Sequence, residues 1–223
     1  MYVGVDGHAK GWVSIVIDDD GFVAAGDHRN FGELLERHRK ARVIGVDIPL
    51  GLDPEAAREA DTAAREYLAS KRASIFPAPP RPVLAARDYA EANRRHRELT
   101  GKGLSAQSFA LFAKIREVDV FVDDPRLFEV HPEAAFWAMT GETTALASKK
   151  SWAGLHARLD ALRGEGIALP ASMGDAGRVP IDDVVDAAAA AWSARRIACG
   201  RATRFPAQPI QTDASGRALA IWV

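Results

Sequence analysis

Apolar and polar positions alternate in short blocks at the start of the chain and give way to helical spacing further on. Residues 2–6 read as a short buried strand stopped by Gly7. Trp12 to Ile17 is apolar and β-branched, and Asp18-Asp19-Asp20-Gly21 behind it is a turn signal. Phe22 to Asp27 predicts a third strand. The links are too short for a crossover, so these three strands form an antiparallel meander. Phe31 to Lys40 has helical spacing, and Arg42 to Ile48 returns to strand character. A strand reached through a helix can run parallel to a neighbour.

A helix-rich stretch follows. Asp53-Pro54-Glu55 combines a cap, a proline at the first helical position and an acid in the first turn, and predicts a helix to about Ser70. Phe76-Pro77-Ala78-Pro79-Pro80-Arg81-Pro82 must be extended and irregular. Helices are expected over Arg87–Leu99, ended by Gly101, and over Ser105 to about Val120. Leu127 to His131 reads as a fifth strand, Pro132 starts another helix, and Lys149 to Arg163 is amphipathic. Pro180 opens a long alanine-rich helix ending at Gly200, and two short strands flank Asp213-Ala214-Ser215-Gly216. The expected class is α/β, an RNase H-like mixed five-stranded sheet with strands 1–3 antiparallel and strands 4 and 5 parallel. Helices flank it, with a helical insertion over about 53–122 and a C-terminal hairpin.

The chain has 223 residues, 48% hydrophobic and 26% charged, enough to bury a core of its own and read as one domain over 1–223. One cysteine, Cys199, excludes an internal disulfide and a cysteine-rich zinc site. The start has no signal-peptide pattern, and the most apolar stretch, Val184 to Trp192, contains Asp186 and is too short for a bilayer. A cytoplasmic protein without membrane contact is the expectation. Charge is unevenly spread: from Lys71 to Lys102 eight Lys or Arg face three acids, net +5, leaving −6 elsewhere in a chain of formal charge −1. Such a segment is either a phosphate footprint or a solvated helix face. The five tryptophans are scattered, which suits core positions better than a base-stacking platform.

Three sets of acids stand in apolar surroundings. Asp6 ends the first strand after Val3-Gly4-Val5, and Asp47 follows Val43-Ile44-Gly45-Val46. A carboxylate there is costly unless it is paired, hydrogen-bonded or metal-bound, and the plain alternative is a cap on the next turn. Asp182 and Asp183 suit a first helical turn, where they interact favourably with the helix dipole. Asp186 lies deeper, between Val185 and Ala187, and shares a face with Asp183 at three residues or Asp182 at four. No Lys or Arg occurs from Ile181 to Ala194 to neutralise that face. If strands one and four are neighbours, Asp6 and Asp47 meet and the last helix can pack across them, which gathers several hard oxygen ligands suited to Mg²⁺ or Mn²⁺. Two such ions would support phosphodiester cleavage. Glu129, His131, Glu133 and Asp182 form a second tier, His131 more readily as a structural hydrogen-bonding residue than as a base or ligand.

Several motifs appear in order: Val5-Asp6-Gly7, Gly11-Trp12-Val13, Asp47-Ile48-Pro49-Leu50-Gly51-Leu52, Ser74-Ile75-Phe76-Pro77-Ala78-Pro79, Gly103-Leu104-Ser105-Ala106-Gln107, Glu129-Val130-His131-Pro132-Glu133 and Asp182-Asp183-Val184-Val185-Asp186-Ala187. As a set they resemble the domain-of-unknown-function family 429, whose members are described as predicted RNase H-like nucleases. The acid layout is also similar to that of RuvC-type resolvases. The resemblance implies the fold and a catalytic set of Asp6, Asp47, Asp183 and Asp186. The loop after Asp6 departs from the family pattern of a Cys and a basic residue, reading His8-Ala9-Lys10.

The leading expectation is therefore a metal-dependent nuclease or phosphodiesterase on nucleic acid. Candidate phosphate ligands are Lys10, Arg72, Arg81, Arg94, Arg95, Arg97, Lys114 and Lys149. A non-catalytic nucleic-acid-binding module is the alternative. A sugar-kinase or actin-like ATP-dependent phosphotransferase would need two such lobes, about 300 residues. The choice of DNA or RNA stays open, as does a homodimer.

Overall fold

The computed structural model describes residues 1–143, 146–208 and 211–223. In chain order it contains β1 (Tyr2–His8), β2 (Gly11–Ile17), β3 (Phe22–His28), α1 (Phe31–Arg37) and β4 (Val43–Val46). Then come α2 (Glu59–Tyr67), α3 (Tyr89–Thr100), α4 (Ala106–Ala110), α5 (Phe112–Asp119) and β5 (Leu127–Glu129). The chain ends with α6 (Pro132–Met139), α7 (Trp152–Gly164), α8 (Ile181–Ala198), β6 (Arg204–Phe205) and β7 (Ile221–Trp222). Two compact units result, one of Met1–Asp47, Pro125–Thr203 and Trp222–Val223, the other of Ile48–Asp124 and Arg204–Ile221.

The first unit holds the sheet, in the order β3-β2-β1-β4-β5. The meander β1-β2-β3 is antiparallel, and β1-β4 and β4-β5 are parallel, as the link lengths require. Small residues let α8 lie directly on the central strands. A Cβ on Gly4 would stand 2.0 Å from Ala187 O and Ala191 N, and one on Gly45 would stand 2.8 Å from Ala190 O. Ala187 to Ala191 are fully buried, which is why the helix is alanine-rich. β6 and β7 pair as a two-stranded ribbon.

Behind the meander, the buried Ser14 Oγ lies 2.8 Å from His28 Nε2 and 2.9 Å from His38 Nε2. Burial holds both imidazoles below the usual histidine range, and His28 and Arg37 add to this at His38, lowered to about 4. The folded protein thus binds fewer protons here than the unfolded chain. The pair's stability is fully present above about pH 6.5 and lost as pH falls toward the folded values. His38→Gln is expected to lose less melting temperature than the parent between pH 6.5 and 4, a difference read from melting curves across that range.

The second unit is helical. Asp88 caps α3 by accepting from Glu91 N at 2.8 Å, and Gly101 ends it at φ +70°. Here the structure departs from the sequence pattern. Asp53 opens no helix: its Oδ1 accepts from Glu55 N at 2.9 Å and Ala56 N at 2.6 Å, closing a turn. The helix begins at Glu59, after the buried Arg58, whose Nη2 binds Asp61 Oδ1 at 2.5 Å and whose Nη1 reaches Gly51 O. The helix expected over Ser105–Val120 is divided at Leu111 into α4 and α5. The two short strands expected around 213–216 are β6 and β7, and the turn itself carries an isolated Thr212–Ala218 bridge, with Asp213 Oδ1 accepting from the Ser215 and Arg217 N–H groups.

The tryptophans do not all enter the core. Trp12 and Trp192 are buried, whereas Trp152 at the start of α7 is 78% exposed. Among the described residues no helix is long and apolar enough to cross a membrane.

Candidate active site

The ladder between β1 and β4 sets the site. Val5 lies opposite Val46, and Asp47 N donates to Val5 O at 3.0 Å, so Asp6 and Asp47 occupy the next rung of neighbouring parallel strands. Side chains alternate along a strand, so Asp6 shares the face of Gly4, and Asp47 that of Gly45. That face carries α8. Asp186 immediately precedes Ala187, which touches Gly4, and Asp183 lies one turn earlier on the same side. Three elements thus bring four carboxylates together: Asp6, Asp186, half-buried Asp47 and half-buried Asp183.

Their ionisation reflects the crowding. Burial pushes Asp6 well above the usual carboxylate range, and Asp47, Asp186 and Asp183 push it further. Asp47 is raised well above its ordinary value by burial and then by Asp186. Asp186 is raised to about 6, mainly by burial, and Asp183 is raised by burial and by Asp182. Among the first-turn acids, Asp183 adds to the charge that both Asp6 and Asp47 feel. Asp6 also bonds locally, its Oδ1 accepting from Gly7 N at 2.7 Å.

The missing cation comes from the segment before α7. Lys149 Nζ lies 2.5 Å from Asp186 Oδ2. Burial works against its charge, but Asp186, then Asp6 and Asp47, outweigh this and raise it above the usual lysine range. Asp186 Oδ1 remains buried without a hydrogen-bond partner. Arg158 fixes the backbone nearby. Its Nη1 binds Ala147 O at 2.8 Å and Gly154 O at 3.0 Å, and its Nη2 pairs with Glu133 in the first turn of α6.

The sequence model of the family described as Protein of unknown function (DUF429) matches residues 4–211. The chain belongs to this family. No curated protein and no solved structure matches it.

In this DUF429 protein the second-tier residues have distinct places. Glu129 ends β5 opposite Val46, is buried, and adds to the charge that Asp47 feels. His131 caps α6, its Nδ1 accepting from Ala134 N at 3.4 Å. Asp182 stands half-buried in the first turn of α8. The sequence reading did not single out Arg158. It also missed the His8–Asp27 pair, with His8 Nε2 3.0 Å from Asp27 Oδ1, although His8 favours the charged form of Asp183.

The basic candidates divide in two. Lys10, Arg72 and Arg97 are exposed. Arg94 binds Glu98 at 2.8 Å, Arg95 binds Glu91 at 2.6 Å, and Arg81 makes a two-point pair with Asp119 at 2.7 and 2.9 Å. Half-buried Lys114 also has interactions of its own. Much of the +5 stretch is therefore already paired within the second unit.

Among the described residues no three His, Cys, Asp or Glu side chains are drawn close enough to make a ready metal-ligand group. The donor chemistry nevertheless fits Mg²⁺ or Mn²⁺. The donors are all hard oxygens, and one oxygen of Asp186 is buried and unpartnered.

Proposed function

We propose that the chain is a metal-dependent nuclease or phosphodiesterase acting on nucleic acid. One observation carries this reading: Asp6, Asp47, Asp183 and Asp186, from β1, the end of β4 and α8, crowd together in a buried setting that raises all four. A fold has no use for that repulsion, whereas a site for divalent cations does. Asp6, Asp47, Asp183 and Asp186 are the residues that would hold Mg²⁺ or Mn²⁺. Bound there, such ions would supply an activated water and charge stabilisation for the leaving oxygen. The chain's own part is to hold Asp6 and Asp47 on one sheet face and to keep Asp186 dehydrated where α8 meets that face. Lys149 balances their charge, and it is the cation nearest to hand for a phosphate once its carboxylate is otherwise engaged. A cytoplasmic setting goes with this reading.

The Lys149–Asp186 ion pair also favours a second reading, a non-catalytic module in which the acids are permanently neutralised. Incubation with single-stranded, duplex and branched DNA and RNA, with Mg²⁺, Mn²⁺ or EDTA, separates the two. The nuclease cleaves at least one substrate in a metal-dependent manner, and Asp186→Asn does not. Absence of cleavage on every substrate, with no effect of metal on melting, leaves only the binding module.

A further inference from the structure

Trp152 is 78% exposed, an unusual place for a side chain whose burial would help hold the fold together. It is not loosely placed. Ser151 caps α7, its Oγ accepting from Gly154 N at 3.1 Å. A Cβ on Gly154 would meet Ser148 O at 2.0 Å and Ala147 O at 2.7 Å, so the segment before α7 is seated against its first turn. Arg158, fully buried, donates to both sides of that contact, Ala147 O and Gly154 O. On the outer side His156, one turn on, lies against Trp152 with ring centroids 4.1 Å apart and planes at 51°.

The same short segment joins these rings to the carboxylate cluster. Lys149, three residues before Trp152, turns inward to Asp186 Oδ2 at 2.5 Å. Lys150 is exposed and close enough to Asp183 to favour its charged form. Three residues span at most about 11 Å, so an aromatic surface, an exposed cation and the acids follow one another over a short distance.

We propose that Trp152 and His156 form a stacking platform for an unpaired base of a single-stranded nucleic acid, with Lys150 on the adjoining phosphate. This rests on the nuclease reading and adds the strand state of its substrate. Charge selects the occupant. The platform follows two consecutive lysines, which suits a polyanion with flat apolar bases. Stacking requires a base already out of the duplex, since paired bases hide their faces.

Binding of labelled oligo(dT) and oligo(U), measured by fluorescence anisotropy in EDTA so that no strand is cut, tests this. Trp152→Ala is expected to bind single strands on the order of tenfold more weakly, Trp152→Phe to recover most of the loss, and Lys150→Ala to lower the salt dependence. Affinity for a duplex should change little, and the Mn²⁺-induced rise in melting temperature should persist in Trp152→Ala. If the parent binds single strands and Trp152→Ala binds them equally well, the platform is wrong while the nuclease reading stands. If the parent binds no single strand in EDTA, the platform falls, and the nuclease reading is decided separately by the cleavage assay with metal. If Trp152→Ala only abolishes self-association measured by sedimentation, the surface joins two copies of this chain and the proposal is overturned.

Discussion

Without metal, Asp6→Asn is expected to melt above the parent; with Mn²⁺ the order reverses. Asn keeps an acceptor for the Gly7 N–H, now 2.7 Å from Asp6 Oδ1, and removes a buried charge facing Asp47, Asp186 and Asp183. Each pKa unit by which the fold raises such a group corresponds to about 1.4 kcal/mol, so a gain of about 1 kcal/mol or more is expected. The parent should gain about 2.7 kcal/mol when Mn²⁺ is at a hundredfold excess over its Kd, and Asp6→Asn should lose most of that gain. Asp186→Asn differs, because Asp186 Oδ2 holds Lys149: it should melt near or below the parent in EDTA and lose the Mn²⁺ effect as well.

The pH dependence has a definite sign. These carboxylates are raised on folding, so the folded state binds more protons than the unfolded chain. Their contribution is full below the unfolded value, about 3.9, and is lost as pH rises through the folded values, about 6 for Asp186. Metal should therefore stabilise more at pH 7.5 than at pH 5. Melting curves at both values, with EDTA and with Mn²⁺, check all of this. A parent indifferent to Mn²⁺ would remove the metal site from consideration.

The other large effect concerns Gly4. Its Cβ position lies 2.0 Å from Ala187 O and Ala191 N and 2.6 Å from Ala190 C, all main-chain atoms of α8. No side-chain rotation relieves that, so Gly4→Ala must lift α8 from β1. A loss of about 3 kcal/mol or more is expected, at the upper end of overpacking. Gly45→Ala, at 2.8 Å from Ala190 O, should cost less. Any Gly4→Ala protein that folds should also bind Mn²⁺ poorly, because the lift carries Asp186 away from Asp6. Denaturant titrations of both variants, followed by Mn²⁺ melting shifts, measure the order. A cost of Gly4→Ala below about 1 kcal/mol would contradict the close approach.

Link lengths and alternation made the sheet legible, and with it the neighbouring places of Asp6 and Asp47. Asp186 stood out because an acid inside an alanine run has no local explanation. Its counter-ion could not be read in the same way. Lys149 lies outside α8 and meets Asp186 only through tertiary packing. The sequence says that a cation is needed but not which. Trp152 was misread because the scatter of tryptophans along the chain does not distinguish a residue pointing outward from the first turn of α7 from a core residue. The turn at Asp53 was missed because its side chain bonds the same N–H groups that a helix would leave free, and the buried Arg58 sets the start of α2.

Arg158 pins the backbone on one side of Lys149, and α7 begins on the other. The ammonium is thus a tethered ion, held at a local concentration that its short aliphatic arm sets and the buffer does not. Dissolved salt competes poorly with such a group, all the more because its carboxylate is out of water. The exposed Arg94–Glu98 pair on α3 should fade as ionic strength rises, while Lys149 stays seated on Asp186 in brine.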